Sequence, residues 1–314
     1  MSNKNNLIFE KFDEINVSTK TYTASTNITI NLGELFNCIN VTDYTVIPKK
    51  RGRKRKDELH TGDVKQLIEP GSIITAKWEG QIKGCDRKSK SNSKNENKTP
   101  KTWFRNSVTI VIFLDKFINF KVCKSGKFQM TGCLNWKHAE MCISTIWNLI
   151  KNNPVIYEFS DETETLKTIV VPSMRNIDFS IGFNVDREKL NKYITSRKDI
   201  HCLLESSFGY TGVSIKIPLS NEKRMQMAIM KYEYLKNEEV KCEQKTYDYY
   251  LDTLPEKEKL KKLNEQKYNT FLVFQSGKVI FSGLTSWLMK DFYYIFIDMM
   301  KNGYDEIEER LEKY

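Results

Sequence analysis

INFKVCKSGKFQMTGCLNWKHAEMCISTIWNLI, residues 118–150, returns in altered form as TFLVFQSGKVIFSGLTSWLMKDFYYIFIDMM, residues 270–300. Identical residues in the two stretches stand 151 positions apart: Ser125 and Ser276, Gly126 and Gly277, Lys127 and Lys278, Gly132 and Gly283, Trp136 and Trp287, Ile146 and Ile297. One offset that holds without gaps over about thirty residues indicates an internal duplication, which organises the whole chain.

Each copy predicts the same local structure. An apolar strand runs into a Ser-Gly pair that suits a tight turn, a second short strand follows, and apolar residues at helical spacing then predict a long amphipathic helix. The predicted segments are strands 118–124, 127–131, 270–275 and 278–282, and helices 134–151 and 285–302.

The duplication extends towards the N-terminus of each half. Asn27-Ile28 in TNITINL and Asn176-Ile177 in NIDFSIGF lie 149 positions apart in stretches that alternate like strands, and short helical pieces follow near 33–40 and 186–197. Each half therefore predicts a strand, a helix, several antiparallel strands and a long helix. Helices on one face leave the other face of the sheet open, so the tandem pair predicts one long curved sheet with helices on its back.

The open face carries apolar side chains in the strand FLVFQ. Phe271 and Val273 point one way, and Leu272 and Phe274 point the other. One pair can pack on the helices, and the other pair is left on the open side. Short apolar and aromatic side chains suit a DNA minor groove, where hydrogen-bond information is poor and an aromatic wedge can kink a base step.

The segments SGKFQMTG and SGKVIFSG, each between an apolar strand and a helix, resemble the two SGK-x-x-x-TG signatures of the TATA-box-binding protein (TBP) family. The paired Asn-Ile strands resemble that family too. The resemblance covers about residues 20–46, 104–151, 168–219 and 268–303, and the long insertions are similar to those of divergent members from nucleocytoplasmic large DNA viruses. It implies an α+β fold of two tandem TBP-like repeats forming a saddle, with a curved antiparallel sheet, helices on the convex face and DNA in the concave one.

The resemblance also implies contacts, residue by residue. Base-edge readers would be Asn27, Asn176, Thr131 and Ser282, and phosphate contacts would be Lys127, Lys278 and Lys216. Phe274 matches a wedge aromatic with Leu272 beside it, and Tyr210 or Phe208 would be the partner wedge. In the first half, Cys123 and Lys121 occupy the corresponding wedge and apolar positions, which leaves Phe104 as the replacement wedge. Asp178 stands where the family has an apolar groove residue, so we expect a weaker or one-sided kink.

The predicted domain boundaries follow from the repeat. We expect an N-terminal tail at 1–19, a first repeat at 20–155 with basic insertions at 47–103, a second repeat at 156–305 with a mixed-charge helical insertion at 220–267, and a C-terminal tail at 306–314.

The charge distribution favours a polyanionic partner. Formal net charge is +10, and KKRGRKRK concentrates seven cations: Lys49, Lys50, Arg51, Arg53, Lys54, Arg55 and Lys56. This stretch and the basic, Ser/Asn-rich 83–101 have few apolar residues and predict loops. RGRK at 51–54 is similar to an AT-hook core with Lys54 in place of a proline, and it is equally compatible with a nuclear import signal or a solvated loop.

Other function classes find little support in the sequence. Seven scattered cysteines without a CxxC pair indicate reduced thiols. Cys133, His138 and Cys142 lack a fourth ligand, so we expect no metal and no cofactor. The absence of an apolar run of eighteen residues and of an apolar signal core predicts no membrane segment. Without a carboxylate cluster, nucleophile–base pair or phosphate loop, we expect no enzyme.

The resemblance implies a general transcription initiation factor that binds and bends AT-rich promoter DNA. Its implied partners are double-stranded DNA, TFIIB-like and other initiation factors, and the RNA polymerase machinery. Its implied location is the nucleus or a cytoplasmic viral factory of an infected cell, or the virion. The alternative is a TBP-like module with an eroded DNA face that scaffolds other proteins, which Cys123, Lys121 and Asp178 favour.

Overall fold

The structure, a computed structural model, describes residues 7–44, 68–85, 106–197, 199–204 and 212–309. Its strands are β1 Val17–Thr26, β2 Ile28–Ile30, β3 Ser72–Trp78, β4 Gln81–Gly84, β5 Ser107–Phe113, β6 Phe117–Cys123, β7 Lys127–Cys133, β8 Tyr157–Phe159, β9 Leu166–Ser180, β10 His201–Leu204, β11 Gly212–Pro218, β12 Ala228–Tyr234, β13 Val240–Thr246, β14 Tyr268–Phe274 and β15 Lys278–Gly283. Its helices are α1 Leu32–Cys38, α2 Trp136–Ile150, α3 Arg187–Thr195, α4 Asn221–Met225, α5 Tyr247–Asp252, α6 Glu256–Asn264 and α7 Ser286–Ile307. The α+β class is confirmed.

The chain divides into two compact units. The C-terminal unit contains Met1–Tyr22, Ile169–Tyr232 and Val240–Tyr314, and the N-terminal unit contains Thr23–Thr168 and Glu233–Glu239. Strands β1 and β9 each contribute residues to both units. Each unit contains most of one predicted repeat and a segment from elsewhere in the chain: Met1–Tyr22 in the C-terminal unit and Glu233–Glu239 in the N-terminal unit.

The N-terminal unit holds the antiparallel strand order β7-β6-β5-β3-β4. Helix α2 packs against β7, and α1 packs against β3 and β5. Every second side chain of β6 is buried, and so are the apolar residues of α2 that recur at helical spacing: Ala139, Ile143, Ile146 and Ile150. The buried residues of the strands and those of the helix therefore form one core on one side of this sheet.

The C-terminal unit repeats that arrangement with the antiparallel order β10-β11-β14-β15-β9. Its core joins alternate strand residues to α3 and α7, and Phe271 stacks on Phe281 and on Phe296 of α7 at centroid distances of 4.0 and 4.2 Å. Burying such a side chain contributes about 1.5–3 kcal/mol. The core therefore fixes which strand positions face the helices.

The Ser-Gly turns depend on their glycines. Gly126 (φ +65°) and Gly277 (φ +72°) lie in the left-handed region, and a Cβ on either would stand 2.0 Å from a carbonyl oxygen, that of Ile28 or of Phe183. The turn of each hairpin is thus pressed against the segment that leads into the first helix of its repeat. This close approach explains why the same Ser-Gly pair occurs in both copies.

The described parts of both predicted tails, residues 7–19 and 306–309, belong to the C-terminal unit, which corrects the boundaries at 1–19 and 306–314. Phe12 is 1% exposed in the core, Lys290 of α7 pairs with Asp13 at 2.5 Å, and the Tyr293 hydroxyl donates to the Glu10 carbonyl at 2.7 Å. At the other end α7 continues to the buried Ile307. The N-terminal segment resembled a tail because its apolar residues are few and lie among charges.

The insertion 220–267 is more ordered than mixed-charge helices, which corrects that prediction. It contains β12 and β13 as well as α4, α5 and α6, and its own apolar cluster joins Val171 of β9 and Leu288 of α7. Arg224, 1% exposed, donates to the carbonyls of Lys262 and Glu265 at 2.6 and 2.7 Å, near the end of α6. The buried guanidinium therefore compensates the negative end of that helix.

The predicted basic insertion 47–103 is also partly sheet. Residues 72–78 form β3, which pairs with β5 and buries Ile73, Ile74 and Ala76, and a hairpin continues into β4. The basic residues 49–56 lie outside the described residues.

We predict that Gly277→Ala destabilises the chain more than Gly182→Ala. Both glycines have positive φ, at +72° and +82°, but a Cβ at Gly182 meets nothing within 4 Å. The control should lose about 1–2 kcal/mol for the left-handed conformation alone, and Gly277→Ala about 1–3 kcal/mol more for the clash. Urea unfolding measures both, and equal losses would contradict the close approach.

Candidate nucleic-acid interface

Within the described residues, one face of the sheet in the C-terminal unit is not covered by helices, and it is called the uncovered face below. Along β14, Phe271 and Val273 are 0% exposed beneath the helices, whereas Leu272 and Phe274 are half-buried on the opposite side. Along β9, Ile177 is 0% exposed, and its neighbour Asp178 is exposed. The alternation predicted for FLVFQ is therefore present, with the helices on one side only.

The strand registers arrange this face in rows that cross the strands. A polar row contains His201, Lys216, Thr270, Ser282 and Asn176. The adjacent row contains Leu203, Ser214, Leu272, Ile280 and Asp178. The face thus combines hydrogen-bonding groups with an apolar centre, and a carboxylate stands at the end of the apolar row.

The uncovered face of the N-terminal unit has the same layout with different chemistry. One row joins Val111, Asn119 and Thr131, and the next joins Thr109, Lys121 and Gln129. Lys121 and Gln129 thus take the places that Leu272 and Ile280 hold in the C-terminal unit. The uncovered face of the N-terminal unit is therefore polar at positions where that of the C-terminal unit is apolar.

The predicted phosphate contacts and hydroxyls all lie on these faces. Lys127, Lys278, Lys216 and Thr131 are exposed, and Ser282 is half-buried between Thr270 and Asn176. Cations at matching edges of both faces favour a polyanion. The hydroxyls lie on the side of the sheet opposite the helices.

Asn176 lies on the uncovered face, as predicted. Its backbone carbonyl accepts a hydrogen bond from the Ser18 hydroxyl at 3.2 Å, and its buried Oδ1 has no partner among the described residues. A buried amide oxygen left unpaired is costly, so this side chain has unused hydrogen-bonding capacity beside Ser282.

Asn27, in contrast, is not the counterpart of Asn176, which corrects the predicted alignment. Its amide donates to Asp161 at 3.1 Å and to the Thr165 carbonyl at 3.0 Å, and its Oδ1 accepts from the Lys167 amide at 2.8 Å. These bonds hold the bend between β1 and β2 against the segment before β9. We therefore assign it a structural role.

In the first strand and first helix of each repeat, structurally equivalent residues are about 155 positions apart. Ile28 and Phe183 face the turn glycines, Asn31 and Asp186 cap α1 and α3, and Leu35 and Leu190 are buried in those helices. This offset makes Thr21 the counterpart of Asn176 and Thr23 the counterpart of Asp178. Thr21 was missed because the Asn-Ile dipeptide matched by chance; the N-cap residues carried the correct signal.

Phe274 is half-buried at the end of β14, opposite Gly212. An open depression of about 970 Å³ adjoins it, lined by Asp178, Phe179, Ser180, Asn184, Phe274, Gln275, Ser276, Lys278, Val279, Ile280 and Glu309. The aromatic ring therefore borders free space on the uncovered side. The other predicted wedges, Tyr210, Phe208 and Phe104, lie outside the described residues.

Cys123 takes the position of Phe274 in the N-terminal unit, because both directly precede their turns. Burial raises the pKa of its thiol, although Lys121 and Lys127 act in the opposite direction. The side chain is thus a small neutral thiol at physiological pH. It offers far less apolar area than an aromatic ring.

Within the described part of the chain, no group of three or more His, Cys, Asp and Glu residues could hold a metal ion. No helix there combines the length and apolar character needed to cross a membrane.

Two curated relatives are similar in sequence. An uncharacterized protein, 335L, of Invertebrate iridescent virus 6 is 34% identical over 212 residues, which cover 64% of this chain and 61% of that protein. A TATA-box-binding protein-like protein of Acanthamoeba polyphaga mimivirus is 24% identical over 239 residues, covering 68% and 60%. The chain thus spans about three fifths of the length of these relatives. No protein-family model matches it.

Among solved structures, TBP of Methanococcus jannaschii aligns over 92% of this chain and 99% of its own length, with 12% identity and a TM-score of 0.42. The chain contains two like α+β repeats, and its sequence is similar to that of the mimivirus TATA-box-binding protein-like protein.

We predict that Cys123 alkylates more slowly than Cys242. The thiolate is the reactive species, and burial raises the pKa of Cys123, whereas Cys242 is exposed on β13. Iodoacetamide labelling of the native chain at pH 8, followed by peptide mass spectrometry, gives both rates. The denatured chain is the control, and equal native rates would contradict the assigned environment.

Proposed function

We propose that this chain binds AT-rich duplex DNA through the minor groove, using the uncovered faces of its two repeats, and acts in transcription initiation. The observation that carries the proposal is the duplication of the face itself. Lysines 127 and 278 and the hydroxyls of Thr131 and Ser282 occupy equivalent uncovered positions in the two units. A duplex, which repeats its own chemistry along its axis, is a ligand that suits such a repeated surface.

The physical basis of binding is electrostatic attraction followed by contact with the groove. Exposed lysines on both faces attract phosphates and release counterions, which makes affinity depend on salt. The polar row of Thr270, Ser282 and Asn176 then meets the acceptors that A·T pairs present in the minor groove. The basic residues 49–56 would add attraction that does not depend on sequence.

Bending comes from the apolar row. Leu272, Ile280 and Phe274 present apolar area to a groove that must widen to reach it, and an aromatic side chain can unstack a base step. Smooth bending of a site costs about 1–6 kcal/mol and less at flexible steps, so sequence is partly read as deformability. The uncovered face of the N-terminal unit, near Cys123, is polar and contributes little to bending, which makes the kink one-sided.

Scaffolding of other proteins is the second candidate function. Exposed Asp178, together with Lys121 and Cys123 in place of apolar residues, is the observation in its favour. A protein-binding module would lack the steep salt dependence that phosphate contacts give. Titration of an AT-rich duplex at several salt concentrations therefore separates the two functions.

The partners and location follow the same proposal. A bent complex would present its helices and the ordered insertion 220–267 to TFIIB-like and other initiation factors and to RNA polymerase. The place of action would be the nucleus or a viral factory of an infected cell.

We predict that Lys278→Ala lowers the salt slope of duplex binding by about one unit and weakens binding to all sequences alike, because it removes one phosphate contact. The matched control is Lys261→Ala, since Lys261 is equally exposed but lies on α6. Fluorescence anisotropy at salt concentrations from about 50 to 200 mM gives the affinity, and the slope of log affinity against log salt concentration follows from these values. An unchanged slope would mean that Lys278 does not contact a DNA phosphate.

We predict that Phe274→Ala reduces the bend angle of an AT-rich duplex more than it reduces nonspecific affinity. The substitution removes the wedge and leaves the lysines in place. Energy transfer between dyes at the duplex ends reports the bend, and anisotropy reports affinity. Trp287→Ala, which removes an exposed aromatic from α7, is the control and should change neither. Equal loss of bending and nonspecific affinity would count against a wedge.

A further inference from the structure

Asp178 is a fixed acceptor on the proposed DNA face. It lies two residues from Asn176 on β9 and directly opposite Ile280 on β15, with its side chain exposed. Its neighbours along the strand, Ile177 and Phe179, are buried on the helix side. The carboxylate therefore points to the same side as the polar row and the apolar row.

No group within the described part of the chain neutralises this carboxylate. Its side chain has neither a hydrogen bond nor an ion pair there. Lys278, opposite Ser180, is the nearest cation by register, and it lies diagonally across from Asp178. The charge is thus available to a ligand that lies on the face.

The minor groove offers a carboxylate only one attractive group. A·T and T·A pairs present the acceptors adenine N3 and thymine O2, which repel an acceptor-only side chain, whereas a G·C pair adds the guanine N2 amino donor. An acid that faces the groove floor therefore favours a G·C pair over an A·T pair, whereas an apolar residue at the same place favours A·T.

Building on the proposed function, we infer that Asp178 is a specificity-determining residue that reads a guanine amino group, so that the bound element is AT-rich with one G·C pair facing Asp178. Its counterpart in the other repeat, Thr23, carries a hydroxyl that both donates and accepts, and this position discriminates little. The recognised element is therefore asymmetric, and the acid sets the orientation of the chain on it.

The experiment uses the full chain and the best duplex selected from a random pool. Each base pair is changed singly so that only the minor-groove amino group differs: A·T against 2,6-diaminopurine·T, and G·C against inosine·C. Wild type should gain about tenfold in affinity from the amino group at one position, as a hydrogen bond to a charged acceptor gives. Asp178→Asn, which keeps size and an acceptor oxygen but removes the charge and adds a donor, should reduce that gain.

The matched control is Asp298→Asn, an exposed acid on α7, which should keep the wild-type preference. Asp178→Val is a second variant, and it should shift the preference at that position to A·T. An affinity that ignores the amino group at every position, while an AT-rich duplex still binds and bends, would overturn this inference and leave the proposed function standing. An equal gain in Asp178→Asn would also overturn it. Failure to bind any duplex would overturn both.

Discussion

Burial of alternate strand residues beneath the helices is the constraint on which the remaining structure depends. Phe271 stacked between Phe281 and Phe296 commits its strand to one orientation, and a shift of one residue would turn every side chain over. Leu272, Phe274 and the polar row are on the uncovered side because their neighbours are fixed in the core. The candidate interface is thus a consequence of packing on the other side of the sheet.

The two copies share this constraint and differ where it does not act. Core positions are apolar in both, and the turn glycines touch equivalent carbonyl oxygens. On the uncovered faces, Leu272 and Ile280 correspond to Lys121 and Gln129. Packing does not restrict these positions, so the two faces can differ in chemistry while the two cores stay alike. Under the proposed function, the apolar face would press on the groove of a duplex, and the polar face would mainly contact its phosphates.

The sequence predicts the repeat, the α+β class and the long helices because a 3.6-residue period and a two-residue period are strong signals. It predicts the positions of Lys127, Lys278, Thr131 and Ser282 on the uncovered faces because they lie on the hairpins where the offset of 151 holds. It fails at Asn27, where a dipeptide match outweighed the N-caps Asn31 and Asp186. It also fails at 220–267, because many charged residues there flank buried tyrosines and Arg224, whose partners come from distant parts of the chain.

The position of the ordered insertion decides whether the candidate interface of the C-terminal unit is accessible. The cluster of the insertion 220–267 includes Val171 and Leu288. Val171 packs in one cluster with Leu288, which belongs to α7, so it lies on the helix side of the sheet. Meanwhile Asp178, Lys278 and Lys216 stay exposed. Within the described residues, the insertion therefore enlarges the helix side of the C-terminal unit and leaves the opposite face accessible to a ligand.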